Sequence, residues 1–285
     1  MAPQPAPRHD HDDLLGSAYD GSVVFDSHAH LQDVRFDAPA RVWERAREAG
    51  VRRVLLAGVD STDWARQAAL ADLPGVSLSL GIHPQVVAAM TGPERDAELA
   101  RLESALAHRS ASVVALGEIG MDGVGDRRRS YDAQSALFAA QLRLARQHDL
   151  PVILHVLRAH EEALKVLADV GVSSAGGVVH SYSGSAELVP RYLEHGLYLS
   201  FSGSVTWHEG GRAARAVEAC PRDRLLVETD APDQTPRARR PDANEPAFLA
   251  DVVRTLATIR GASEADIASV THANACRLFR LPEES

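Results

Sequence analysis

The chain has 285 residues, 45% of them hydrophobic, with 39 acidic against 30 basic residues and a formal net charge of −9. That length suits one large core near the roughly 250 residues of a single α/β barrel, and the acidic balance argues against a broadly basic nucleic-acid surface, leaving local arginine clusters as the means of recruiting phosphates. No apolar run approaches the ~18 residues of a membrane span and no basic-then-apolar leader opens the sequence, so a cytoplasmic protein without membrane contact is expected. The two cysteines, Cys220 and Cys276, are far apart and read as buried thiols, not as a disulfide or a thiolate metal site.

Residues 1–22 are rich in proline and charge, lack periodicity and read as a flexible N-terminal extension; His9 and His11 lie there with no core behind them. Residues 23–285 are expected to form one domain. From Val23-Val24-Phe25 onward, apolar runs of strand length alternate with amphipathic stretches. The runs are Val54–Gly58, Val76–Leu80, Val113–Leu116, Val152–Leu154, Gly177–Val179, Tyr198–Phe201 and Leu225–Val227, and helical patterns such as Tyr131–His148 and Asn244–Arg260 separate or follow them. Near-continuous apolar strands in repeated β-then-α units indicate a parallel sheet covered on both faces. Eight such units at this length predict an α/β fold of the (β/α)8 TIM-barrel type. No Gly-x-Gly-x-x-Gly loop follows the first strand, which disfavours a dinucleotide-binding sheet.

The strand ends carry the chemistry. Asp26-Ser27-His28-Ala29-His30 closes the first strand, and a side-chain period of two places His28 and His30 on one face. The fourth strand runs into Glu118, the fifth into His155, the sixth into His180 and the eighth into Glu228-Thr229-Asp230. Barrel enzymes build their sites at the C-terminal strand ends, so His28, His30, Glu118, His155, His180 and Asp230 are expected to meet at one mouth and bind two divalent ions. Imidazole and carboxylate suit Zn, Mn, Fe or similar divalent ions; Mg usually takes more oxygen donors, but Zn, Mg and Mn all stay open. The only lysine, Lys165, falls in the helical stretch after the fifth strand, so the expected bridge is Glu118, with a bridging hydroxide as nucleophile and Asp230 orienting or deprotonating it.

The ordered motifs resemble those of the TatD family of metal-dependent deoxyribonucleases: Asp26-Ser27-His28-Ala29-His30-Leu31, Gly81-Ile82-His83-Pro84, Gly117-Glu118-Ile119-Gly120-Met121-Asp122, His180 with Ser183-Gly184, Glu228-Thr229-Asp230-Ala231-Pro232, Asn244-Glu245-Pro246, and Asn274 with Leu278-Phe279. The resemblance implies a TIM barrel of the amidohydrolase superfamily that hydrolyses DNA phosphodiesters, often as a 3′-to-5′ exonuclease. It assigns His28, His30, Glu118 and Asp230 to one metal and Glu118, His155 and His180 to the other. Two motifs depart from the family pattern. After the fifth strand His155-Val156-Leu157-Arg158-Ala159 has its arginine displaced by one, and Ser181-Tyr182 replaces Cys-Phe after the sixth. Both changes bear on substrate more than on metal.

Around the metals, His83 is expected to meet a scissile phosphate or a carboxylate lying beyond the metal ligands, Arg158 and Arg240 to contact phosphates, and Tyr182 and Trp207 to stack on bases. Asp122 reads as a turn-closing residue, Gly203 and Ser204 as room for substrate, and Asn274 as a structural cap. Arg127-Arg128-Arg129 and Arg237, Arg239 and Arg240 are expected to overhang the mouth. The leading function is therefore a monomeric two-metal phosphodiesterase acting on DNA ends or single-stranded DNA. The alternative is a hydrolase of an ester, lactone or amide, because fold does not fix substrate.

Overall fold

The computed structural model of the protein describes residues 23–282, and the extension expected over 1–22, with His9 and His11, lies outside them. Eight parallel strands pair strictly in chain order: β1 (Val24–Ala29), β2 (Val51–Leu56), β3 (Val76–Leu80), β4 (Val113–Asp122), β5 (Val152–Leu157), β6 (Gly177–Val179), β7 (Leu197–Phe201) and β8 (Leu225–Val227). Among the described residues ten α-helices surround them: α1 (Pro39–Glu48), α2 (Ser61–Ala68), α3 (Pro84–Val87), α4 (Gly92–Ala107), α5 (Tyr131–Gln147), α6 (His160–Val170), α7 (Val189–Leu193), α8 (Arg212–Ala219), α9 (Leu249–Arg260) and α10 (Glu264–Phe279). This is the TIM barrel that the alternation of apolar runs and amphipathic stretches predicts.

Helix faces follow their apolar spacing. In α1, Val42, Trp43 and Ala46 recur at helical intervals and are buried. The helix expected over Asn244–Arg260 starts later, at Leu249, after a 3₁₀ turn over Pro246–Phe248. Asn244 is instead buried in the loop after β8, where its amide donates to the carbonyls of Thr229 and Asp233 at 2.7 Å. α10 is capped by Ser263, whose hydroxyl accepts from the Asp266 N–H, and its C-terminal end closes the barrel floor.

The barrel interior is layered. Phe25, Leu55, Ala115, Ile153, Val178, Tyr198 and Leu226 form a lower apolar plug against Ala275, Cys276, Leu278 and Phe279 of α10. Two residues further along the same strands the period of two brings up Ser27, His155, His180, Ser200 and Glu228, all buried. The apolar floor thus excludes water from beneath a polar layer. The ladders of β1 and β4 shift register between Asp26 and Ala29 and between Leu116 and Ile119, at the positions of His28 and Glu118.

The seam between β8 and β1 is tied at the same level. Asp230 donates its N–H to the His28 carbonyl at 2.9 Å and His30 donates to that of Ala231 at 2.8 Å. Below them Asp26 accepts from the Thr229 N–H at 2.9 Å and from its hydroxyl at 2.5 Å. Asn274, as expected, is structural: its amide donates to the carbonyls of Arg222 and Leu225, both at 2.9 Å, and holds the start of β8.

Candidate metal centre

The six expected ligands converge at the C-terminal mouth, in a cleft of about 360 Å³ whose walls include His30, Glu118, His155, His180 and Asp230. Glu118, only 2% exposed, stands at the centre with its two oxygens facing different neighbours. Oε2 lies 3.3 Å from His28 Nε2 and 3.5 Å from His30 Nε2, and Asp230 Oδ1 lies 3.6 and 3.7 Å from the same two nitrogens. Oε1 lies 2.7 Å from both His155 Nδ1 and His180 Nε2, and 2.9 Å from His83 Nε2. One carboxylate therefore joins two nests of donor atoms.

The donors fit divalent cations. His30 Nδ1 faces the Ala57 carbonyl at 3.0 Å; a carbonyl only accepts, so a proton sits on Nδ1 and Nε2 is the nitrogen left to serve an ion. That nitrogen is 3.1 Å from His28 Nε2, and His155 Nδ1 is 3.2 Å from His180 Nε2. Nitrogens held about 2.1 Å from one ion stand roughly 3.0–3.4 Å apart for coordination angles between ~90° and ~109°. The spacings match that range, and lone pairs so close repel unless a cation lies between them.

Electrostatics agrees with this reading. Burial opposes ionisation of Glu118, yet His180, His83 and His28 hold it well below the usual carboxylate range. Burial likewise opposes charging His30 and His180, but Glu118 brings His30 up to about 9, and Glu118 with Glu228 raises His180 well above its ordinary value. Burial pushes His28 down and His83 down to about 4, and it raises Asp230. Such a set holds protons in place of the positive charge that metal ions would supply.

Behind the nests stand further buried carboxylates. Glu228 Oε1 is 3.3 Å from His180 Nδ1, and Asp122 Oδ2 is 3.4 Å from His155 Nε2. Asp122 closes the turn after β4 by accepting from the Val124 N–H at 2.8 Å, but the turn-only reading is incomplete, because its other oxygen also accepts from Gln85 at 2.9 Å. Asp230 Oδ2 accepts from Gln234 at 3.0 Å, which leaves Oδ1 for the first nest. Asp230, Ser181, Gln234 and Arg158 all have positive φ without being glycine, so the mouth concentrates strained backbone.

At the rim, the stacking expected of Tyr182 and the substrate room expected at Gly203 are corrected. Tyr182 is 3% exposed, packs edge-on against Tyr192 and Phe201, and donates its hydroxyl to the Ser185 carbonyl, so no face of its ring is open to a base. Trp207 donates to the Thr235 carbonyl, and the Arg240 guanidinium covers its ring at 4.2 Å; neither residue is part of the cleft wall. Arg158 is exposed just past Leu157 and is not in that wall either. Gly203 leaves substrate no room, because a Cβ there would meet the Gln234 carbonyl at 1.9 Å. Members of the arginine runs engage nearby groups: Arg127 with Asp122, Arg128 with the Gly123 carbonyl, Arg129 with Asp126 and Arg239 with Asp251 of α9.

The arginine that does line the cleft is Arg35, which sequence reasoning missed. Its guanidinium is clasped by Asp33 at 2.8 Å and Asp233 at 2.7 Å, tying the loops after β1 and β8 together. Only its place, five residues beyond His30, could have flagged it. Lys165 is exposed on α6, so no lysine reaches the centre.

A (β/α)8 barrel with histidines and carboxylates converging at its C-terminal mouth defines the class of metal-dependent hydrolases. Within that class, residues 25–280 match the family model described as TatD related DNase, and the chain belongs to the TatD family of metal-dependent hydrolases. It is 34% identical over 261 residues to the uncharacterized metal-dependent hydrolase YabD of Bacillus subtilis, covering 91% of this chain and 100% of that one. It is 35% identical over 267 residues to a protein of Erwinia tasmaniensis named 3′-5′ ssDNA/RNA exonuclease TatD, covering 90% and 100%. Among solved structures it resembles the TatD homologue YjjV of Escherichia coli with a TM-score of 0.84 at 31% identity, over 93% of this chain and 99% of that one.

Proposed function

We propose that this protein hydrolyses DNA phosphodiester bonds from a 3′ end, with single-stranded DNA or frayed DNA ends as substrate and two divalent ions, Zn, Mg or Mn, as cofactors. The observation that carries the reading is the division of Glu118, with Oε2 toward His28 and His30 and Oε1 toward His155 and His180. His28, His30 and Asp230 would hold one ion and His155 and His180 the other, with Glu118 shared. Ions bound there would supply an activated water and neutralise charge on the phosphoryl oxygens.

The protein's own groups do the rest. Asp230, fixed through Oδ2 by Gln234, is the carboxylate placed to orient the attacking water and take its proton. Asp122 and Glu228 hold the imidazoles of His155 and His180 from behind. Val34, 78% exposed, is the one exposed large apolar side chain among the described residues; it lies in sequence between the cleft-lining Asp33 and Arg35 and offers an apolar contact for a base. Arg35 lines the cleft with its charge already balanced by Asp33 and Asp233, so phosphate charge would be met chiefly by the bound ions. Support for nucleic acid as substrate comes from relatives such as the Erwinia tasmaniensis exonuclease. The proposed protein is a monomer acting in the cytoplasm.

The test is incubation of metal-loaded protein with end-labelled single-stranded DNA, alongside a panel of acyl and lactone substrates. Shortening from the 3′ end with Mg, Mn or Zn is expected. No DNA cleavage together with turnover of an ester or amide would replace this reading with an acyl hydrolase.

A further inference from the structure

Five histidines crowd the two nests, and what stands behind each ring decides which nitrogen carries its proton. Behind His30 is the Ala57 carbonyl at 3.0 Å, behind His155 the Asp122 carboxylate at 3.4 Å and behind His180 the Glu228 carboxylate at 3.3 Å, none of which has a proton to donate. Behind His83 is a donor. His83 is the N-cap of α3, where Pro84 at the first helical position has no N–H, and the first free N–H, that of Gln85, donates to His83 Nδ1 at 3.1 Å. A backbone N–H opposite Nδ1 leaves that nitrogen no room for a proton. The ring is therefore neutral with its hydrogen on Nε2, the atom that faces the nest.

We infer that His83 is a fixed Nε2–H donor to Glu118 Oε1, and so a positioning residue for the shared carboxylate, not a third imidazole ligand of the second nest. The 2.9 Å separation of His83 Nε2 from Glu118 Oε1 is that hydrogen bond. A carboxylate oxygen has two lone pairs, so Oε1 can accept from His83 and still present the other to an ion held by His155 and His180. Burial of His83 at 7% exposure keeps water from competing for the bond. His83, Glu118 and His155 lie close enough to be counted as a three-ligand cluster by distance alone. The proton on Nε2 removes His83 from that set. This inference rests on the two-ion reading for what Glu118 does, but the position of the proton stands independently of substrate.

The test uses the full chain loaded with zinc and labelled with ¹⁵N-histidine. Long-range ¹H–¹⁵N correlation is expected to show His83 with a protonated Nε2 and an unprotonated Nδ1; a deprotonated, metal-bound Nε2 overturns the inference. The substitution His83→Asn keeps an oxygen to cap Gln85, while its shorter amide does not extend to the position of Nε2 beside Glu118. It is expected to retain the wild-type number of zinc equivalents at saturation and to weaken zinc binding by about 10-fold. In a Glu118→Ala background it should add no further loss. Loss of a whole equivalent in His83→Asn, or an unchanged additional loss in the Glu118→Ala background, contradicts the assignment. If DNA is not the substrate, the DNA assay fails while these readouts are unaffected.

Discussion

Asp230 donates its backbone N–H to the carbonyl of His28 at 2.9 Å, across the seam where the last strand meets the first. The contact that closes the barrel thus also sets the two ends of the first nest, and assembly of the site is part of assembly of the fold. Several buried groups around it, including His28 Nδ1 and Glu228 Oε2, have no hydrogen-bond partner. Their burial costs stability, which ions bound at the neighbouring nests would counter through their own binding free energy.

Chelation should therefore destabilise the protein. A ligand present at 100–1,000 times its Kd contributes about 2.7–4.1 kcal/mol, and each kcal/mol shifts Tm by roughly 2–4 °C in a domain of this size, so a fall of about 5–15 °C is expected. Thermal unfolding with and without EDTA, with restoration by zinc or manganese, measures it. Superimposable curves would show that no ion supports the fold.

Removing the shared carboxylate should do more than removing any single terminal ligand. Glu118→Ala is expected to lower kcat at least 1,000-fold and to reduce bound metal, because both nests lose a donor. Activity near wild type would mean that the site is assigned to the wrong residues.

Asp122 and Glu228 touch no proposed ion, yet each backs an imidazole. Asp122→Asn and Glu228→Gln should each weaken metal binding about 10–100-fold with the fold retained. Competition with a chromogenic chelator reads the affinity, and circular dichroism the fold. Unchanged affinity in both variants would leave these carboxylates purely structural.

His160, away from the nests, provides a stability effect with a definite sign. Burial, and then the charge of Arg212, pushes its imidazole down to about 4, while the Tyr192 hydroxyl shares a hydrogen bond with Nδ1 at 2.8 Å. The unfolded chain binds a proton there near pH 6.5 and the folded chain resists it until about 4. The contribution is therefore whole above pH 6.5 and lost as pH falls toward 4, amounting to about 2–3 kcal/mol. In the presence of chelator, urea midpoints between pH 7.5 and 4.5 should fall less steeply for His160→Gln than for wild type. Parallel pH profiles would refute the assignment.

What was legible in the sequence were features set by period and order. His155 and His180 follow Ile153 and Val178 by two, so a strand pattern that buries the latter in the floor lifts the former into the mouth. What was illegible depended on how loops fold over one another. The clasp of Arg35 by Asp33 and Asp233 joins positions about 200 residues apart, and no local pattern announces it. Tyr182 sits where an open aromatic would sit, but the chain turns at Ser181, with φ of 40°, and drives the ring into the Tyr192 and Phe201 cluster. The arginine runs read as an overhang because their acidic partners, Asp126 and Asp251, count for little until the turns are built.

The division of Glu118 between two nests is tested most directly by anomalous diffraction from crystals of the zinc- or manganese-loaded protein. Two peaks roughly 3.5–4 Å apart are predicted, one ligated by His28, His30 and Asp230, the other by His155 and His180, with Glu118 shared and His83 bonded to neither. A single peak, or an ion ligated by His83 in place of His155 or His180, would contradict the account.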